Sequence, residues 1–405
     1  MSTPVLERPE TVLHDEMLAR FRDRAATYDR ENRFFHEDFD ELKAAGYLTL
    51  PVPRGMGGPG LTMGRVGRMQ RQLAMYAPAN AIAVNMHLFW VGLAADLHAL
   101  GDDSCDWILR DVMAGEVFAS GHAETGNDLP GMYSTTEARP ADGGYHFYGR
   151  KSFGTLTPVW TRLGVFGMDS SDPANRKMVH GFITRDGGGF RIEETWDSLG
   201  MRATRSDDTV LEGAFSPLER TPRIVPTGAA GMDMFLLGMY AWAISGFTNV
   251  YFGVAKRALE LAIESMQSKK SIAVSSGAYA HHPGYQLALA DLAILCNAIE
   301  PHIDGVVDGY AASVRDAANW GPEVAPRWAE RIVSVKKLAT EQSFQVVDGA
   351  VEIVGGFGVS RHSELERLFR DSRMGKIHPS NSFMTREMVS KLVLGLDFDA
   401  QPRWG

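Results

Sequence analysis

Cysteine is nearly absent from this chain of 405 residues: Cys105 and Cys296 stand far apart and form no Cys-x-x-Cys. That scarcity excludes a disulfide framework and a cysteine-built metal site, and a reducing compartment, the cytoplasm, is expected. Basic residues are in deficit too. Forty-one Lys and Arg against 50 Asp and Glu give a formal charge of -9, which weighs against a nucleic-acid partner. The chain also lacks a Gly-x-Ser-x-Gly elbow, a His-Glu-x-x-His pair and a phosphate-cradling loop ending in Gly-Lys. His281-His282 has no third ligand nearby, so no metal is expected. Met1 to Asp15 holds Glu7, Arg8 and Glu10 and no apolar run, which argues against a secretory signal.

One uncharged stretch, Met234 to Ala255, is long enough to cross a bilayer. Gly238, Ser245, Gly246, Thr248, Asn249 and Gly253 dilute it, so a buried core helix and no membrane span are expected. What is present fits a soluble globular chain: 44% hydrophobic and 22% charged residues, at a length that implies two or three packed units.

Three zones follow from the hydrophobic rhythm. Residues 1–115 read as helical. Phe35, Phe39 and Leu42 form one stripe ending near Lys43 and Gly46, and Ala81 to Leu97 reads as buried. Residues 116–222 change period. Asp142-Gly-Gly144 is a turn before Tyr145 to Tyr148, and Val165 to Met168, Met178 to Thr184 and Thr209 to Phe215 read as strands. Residues 223–405 return to helical stripes. These run through Phe247, Tyr251, Val254, Ala258 and Leu261; through Leu289, Leu292, Cys296, Ile299 and Ile303; and through Phe344, Val347, Val351 and Val354. Facing stripes of this kind imply a helical bundle.

Gly55-Met-Gly-Gly-Pro-Gly60 matches the dinucleotide fingerprint only formally. Pro51 and Pro53 break any preceding strand, and no acidic residue follows before Trp90, so a surface turn is expected. Gly355-Gly-Phe-Gly358 follows a helical stripe. Its glycines either cap that helix or admit a phosphate or amide close to the backbone. His122, in a Gly-flanked extended segment, reads as packing. Glu364 to Asp371 reads as an ion-paired helix face.

Four motifs, in order, resemble those of the acyl-CoA dehydrogenase superfamily of flavoproteins. Gly121-His-Ala-Glu-Thr-Gly-Asn-Asp128 is similar to the family's Thr-Glu-Pro-Gly loop, and Gly149-Arg-Lys-Ser-Phe-Gly-Thr155 to its Gly-x-Lys-x-Trp-Ile-Thr strand. Trp196-Asp-Ser-Leu-Gly-Met-Arg-Ala-Thr204 is similar to its Met-Gly-x-Arg-x-Ser segment. The fourth runs from Val347 through the glycine cluster to Leu368-Phe-Arg-Asp371.

The resemblance implies an α+β multidomain fold: an N-terminal helical domain, a central β-barrel and a C-terminal four-helix bundle, assembled as homodimers or homotetramers. It implies FAD, or FMN, between barrel and bundle. Phe153 would lie on the isoalloxazine ring, Thr155 near its central nitrogen, and Glu124, Thr125 and Gly126 along the pyrimidine side. Gly355, Gly356 and Gly358 would approach a partner subunit's flavin, and Asn381 would face the cofactor.

The departures carry the functional expectation. Where the family bears its catalytic Glu, Ile377-His-Pro-Ser-Asn381 places Pro379. Where some members carry the base on the bundle's first helix, Ala243 stands. A positioned base contributes about 10²–10⁴-fold in rate, and proline cannot accept a proton. Three readings follow. The favoured one is a flavin-dependent monooxygenase, in which flavin reduced by a separate reductase captures dioxygen and passes an oxygen atom to a small amine or aromatic substrate. The second is an acyl-thioester dehydrogenase whose base has moved to His378. The third is a noncatalytic flavin-binding or structural relative.

Overall fold

The computed structural model describes residues 12–231, 233–275, 277–314 and 324–396. Helices α1 (Asp15–Glu31), α2 (His36–Ala44), α3 (Met63–Ala74), α4 (Pro78–Ala99) and α5 (Asp106–Met113) come first. Strands β1 (Phe118–Gly121), β2 (Glu137–Ala141), β3 (Gly144–Gly154), β4 (Arg162–Asp169), β5 (Lys177–Thr184), β6 (Phe190–Glu193), β7 (Asp207–Pro217) and β8 (Arg223–Pro226) follow. Helices α6 (Met234–Ser268), α7 (Pro283–Ser313), α8 (Val324–Val354), α9 (Glu364–Met374) and α10 (Ser382–Leu394) come after the strands.

Local chemistry explains several of these boundaries. Asp233 caps α6 by accepting from Leu236 N at 3.0 Å, and Ser363 caps α9 by accepting from Leu365 N at 3.2 Å. Gly46 ends the α2 region in the left-handed conformation that glycine adopts without strain. Helix α4 is apolar nearly all round and therefore lies inside, with Ala81, Val84, Trp90 and Leu93 buried. It crosses α6 where Gly92 meets the Trp242 ring and Gly246 meets Asn85; a Cβ at either glycine would fall within 2.2 Å or 1.8 Å of its neighbour. That close crossing puts the uncharged half of α6 in the core. No helix among the described residues is long and apolar enough to cross a membrane.

The eight strands form one mixed sheet in the order β6-β7-β3-β2-β4-β5-β8, with β1 parallel to β4. The sheet rolls, bringing β5 against β7: Phe182 N donates to Ser216 Oγ at 3.1 Å, and a Cβ on Gly181 would meet Ser216. The expected barrel is this rolled mixed sheet. It extends to Pro226 through the β5–β8 pairing, four residues past the 222 boundary read from the rhythm.

In the bundle, α8 packs on α6 and α7 and buries Ile332, Ala339, Val346 and Ala350. Of the expected stripe through Phe344, Val347, Val351 and Val354, Val347 is fully buried and the other three are half-buried. Helix α7 runs unbroken past Pro301, and the Gly55–Gly60 segment is a turn ahead of α3 with Gly57 and Gly60 at positive φ.

Candidate active site

The sheet side is anchored by a buried ion pair. Glu124 and Lys151 have fully buried side chains, with Nζ 2.5 Å from Oε1. Glu124 also accepts from Ser134 Oγ, Asn127 Nδ2 and the backbone N–H groups of Thr135 and Thr136, while Lys151 also donates to Phe166 O at 2.6 Å. Burial alone would raise the carboxyl; the Lys151 charge and these donors overcome it and hold Glu124 at about 2. Burial pushes Lys151 down to about 8 against the pull of Glu124. Every lone pair of the carboxylate is turned inward, so its side chain fixes the loop and only its backbone is free to meet a ligand. Thr125 and Gly126 lie exposed on the outer side of that loop, and Gly126 has φ +79° with open space where a Cβ would be.

Ala123 bridges Ser152, which sets Phe153 beside this loop. Phe153 is 64% exposed, adopts φ +59° and meets the edge of Trp196 with ring centroids 6.2 Å apart. A large aromatic held in a sparsely populated backbone region and shown to solvent is unusual for packing and suits a planar ligand. Two residues on, Thr155 Oγ1 lies 2.6 Å from Ser206 Oγ, which lies 2.8 Å from Thr204 Oγ1. The turn carrying Thr204 is tied to the bundle. Met201 N donates to Asp371 Oδ1 at 2.5 Å, and Arg370 donates to Leu199 O at 3.0 Å. Desolvation raises Asp371 to about 6.

The bundle side centres on the turn after α9. His378 is half-buried, its ring tilted on Phe247 at 5.0 Å between centroids, and its Nδ1 sits 2.8 Å from the Tyr251 hydroxyl. Burial and then the nearby Lys336 push its pKa down to about 3, so the imidazole is neutral. The Tyr251 phenol is held well above its ordinary range by burial and keeps its proton, so the 2.8 Å contact runs from the phenol to Nδ1 or from Nδ1–H to the phenol according to the imidazole tautomer. Nε2 makes no hydrogen bond among the described residues. Lys336, 1% exposed on α8, donates to the carbonyls of His378 and Ser380, each at 2.7 Å. Asn381 caps α10, its Oδ1 accepting from Phe383 N and Met384 N at 3.0 Å, with its amide nitrogen left for other contacts.

Gly355, Gly356 and Gly358 end α8; Gly355 has φ +69°, and a Cβ on either of the first two would meet open space. Both expected roles are compatible with this, since the cluster closes the helix and also bares its backbone.

Two groups therefore form: residues 123–126 with Phe153 and Thr155 on the sheet, and His378 with Asn381 on the bundle. No hydrogen bond or ring contact joins them directly among the described residues; the 199–201 turn and α9 connect them. His122 is half-buried, with its ring against Trp90, Phe89 and Phe166. Sequence reasoning missed Lys336, Tyr251 and Ser206. The spacing Ile332, Lys336, Thr340, Ser343, Val347 placed a lysine on a buried helical stripe, and that was the available signal.

The geometry fits an isoalloxazine: Phe153 supplies a face, Thr155 a hydroxyl, and the loop at 123–126 backbone groups. Models of the acyl-CoA dehydrogenase N-terminal and C-terminal domains match residues 12–104 and 245–383. The chain belongs to the acyl-CoA dehydrogenase family, a class of flavin-dependent oxidoreductases. It is 27% identical over 364 residues to a putative acyl-CoA dehydrogenase of Bacillus subtilis, covering 89% of this chain and 90% of that protein. It is also 27% identical over 383 residues to an amino sugar nitrososynthase of Streptomyces peucetius, covering 91% and 88%. Among solved structures, KijD3 in complex with FMN and dTDP-3-amino-2,3,6-trideoxy-4-keto-3-methyl-D-glucose superposes with a TM-score of 0.84 at 22% identity, covering 100% of this chain and 99% of that one.

Proposed function

We propose that the protein is a flavin-dependent monooxygenase that uses reduced FMN, supplied by a separate reductase, and dioxygen to oxygenate a small amine or aromatic substrate. One observation carries the reading. The seat of the dehydrogenase base is Pro379, and the His378 imidazole beside it is held neutral at about 3. Its hydrogen-bonding partner is a phenol, and the turn that bears it is held by an amine. A base so weak is poorly matched to removing an α proton at neutral pH. The nitrososynthase among the relatives, and the FMN and amino sugar held by KijD3, support the cofactor and substrate class.

Reduced flavin, when bound, supplies two electrons and the site at which dioxygen is activated. The chain's own groups do the rest. Phe153 stacks on the ring plane, and the loop at 123–126, stiffened by the Glu124–Lys151 pair, presents its backbone to the pyrimidine side. With the Tyr251 phenol donating to Nδ1, His378 keeps a proton on Nε2 and offers it as a hydrogen-bond donor to the substrate, and Asn381 offers its amide nitrogen. Gly355, Gly356 and Gly358 admit a flavin phosphate of a neighbouring subunit. A homodimer or homotetramer in the cytoplasm completes the proposal. It is supported by apolar side chains left bare on α7 and α10: Leu287 and Ile294 on one, Phe383 and Val393 on the other.

The Bacillus relative favours the rival reading, desaturation of an acyl thioester with His378 as base. Anaerobic titration of the flavin-loaded protein with acyl-CoA thioesters of several chain lengths separates the two. Monooxygenation predicts that the flavin stays oxidised; bleaching that is lost on His378→Gln establishes the rival. A purified chain that takes up no flavin would instead mark a noncatalytic relative.

A further inference from the structure

Three hydroxyls behind Phe153 form a row that ends on a carbonyl. Thr204 Oγ1 is 2.9 Å from Met201 O, Ser206 Oγ is 2.8 Å from Thr204 Oγ1, and Thr155 Oγ1 is 2.6 Å from Ser206 Oγ. Ser206 is 3% exposed and Thr204 1%, so water cannot enter to change the pattern. Each hydroxyl has one proton, and a carbonyl has none to give. The Thr204 proton must therefore point at Met201 O, the Ser206 proton at Thr204, and the Thr155 proton at Ser206. The reverse arrangement leaves two oxygens facing each other at 2.9 Å with no proton between them. Thr155, half-buried and the outermost of the three, is left with lone pairs alone to present outward.

We infer that Ser206 and Thr204 are positioning residues that make the Thr155 hydroxyl an obligatory hydrogen-bond acceptor, so that the site selects reduced flavin over oxidised flavin. The inference rests on the reading in which Thr155 meets the flavin's central-ring nitrogen. That nitrogen carries an N–H only when the ring is reduced; oxidised, it is a bare acceptor and faces Thr155 lone pair to lone pair. The row thus discriminates between oxidation states without any charged side chain. It favours the form a reductase delivers and speeds loss of the spent form.

The test measures the affinity of the full chain for oxidised FMN in air and for chemically reduced FMN under nitrogen. Reduced FMN binds about tenfold or more tightly, equivalent to a two-electron midpoint potential about 30 mV higher for bound than for free FMN. Ser206→Ala frees the Thr155 proton to turn outward, so the ratio falls toward one, mainly through tighter binding of oxidised FMN. Ser206→Thr restores it. Should Ser206→Ala fail to fold, Thr204→Val cuts the row from its carbonyl and moves the ratio in the same direction. Equal affinities in the wild type, or an unchanged ratio in a folded variant that binds both forms, overturn the inference. A wild-type chain that binds neither form overturns it together with the flavin reading beneath it.

Discussion

Replacing Lys336 with methionine separates two effects of this lysine that have opposite signs. Burial on α8 lowers the amine from 10.5 to about 7, while the two carbonyl oxygens at 2.7 Å and Glu341 favour the charged form. Between those two values the unfolded chain holds a proton that the folded chain has released, so stability rises with pH across that window. Below about 7 the full cost of the buried charge is present. Each pH unit is worth about 1.4 kcal/mol. From about pH 7.5 to about pH 9.5 the wild type therefore gains up to about 3 kcal/mol relative to Lys336→Met, which has no such proton. At neutral pH the variant loses two hydrogen bonds but sheds the desolvation of an ammonium, and its stability stays within about 2 kcal/mol of wild type. The turn carrying His378 loses its anchor, and kcat falls by about tenfold or more. Urea unfolding at several pH values, with turnover measured alongside, tests both halves. Parallel pH profiles for wild type and variant, or full activity in the variant, refute the reasoning.

Three further outcomes follow from the same geometry. Glu124→Gln strands a buried ammonium and costs about 3–5 kcal/mol in urea unfolding, whereas the double variant with Lys151→Met recovers much of that loss; a neutral single variant would contradict the pairing described. Because Glu124 is held at about 2 against 4.5, its contribution is complete above the higher value and is lost as pH falls toward the lower, visible as an acid limb absent from Glu124→Gln. Phe153→Ala weakens flavin binding about tenfold by equilibrium dialysis, yet leaves the thermal midpoint of the flavin-free chain unchanged, since the ring is 64% exposed. Tyr251→Phe removes the hydroxyl that meets His378 Nδ1 and lowers kcat about tenfold with KM little changed; unaltered steady-state kinetics would exclude a role for that contact.

The helices were legible because their chemistry is local. Phe35, Phe39 and Leu42 reach the core as their spacing demands, and the uncharged run of α6 is explained by its crossing with α4 at Gly92 and Gly246. Strands β1, β2, β6 and β8 were not legible. They are four or five residues long and owe their pairing to neighbours distant in sequence, such as Phe118 to Arg162 and Val179 to Ile224.

Site positions that sit in contiguous motifs could be named in advance; their orientations could not. Glu124 was expected along the flavin edge, but its carboxylate turns inward to the buried Lys151 amine, which a register shift in β3 between Lys151 and Gly154 sets apart from the exposed Phe153. His378 could be singled out beside Pro379, whereas its neutrality depends on burial in the assembled fold and then on Lys336 from another helix, a juxtaposition that no local pattern encodes.

Transfer of an oxygen atom is the central claim, and isotope labelling measures it directly. The protein is mixed anaerobically with reduced FMN and a panel of small amines and aromatics, and heavy-isotope dioxygen is then admitted. Mass spectrometry of the products is predicted to show one labelled oxygen atom on a substrate amine or ring. Products free of label, together with anaerobic conversion of an acyl thioester to its unsaturated form, would contradict the account.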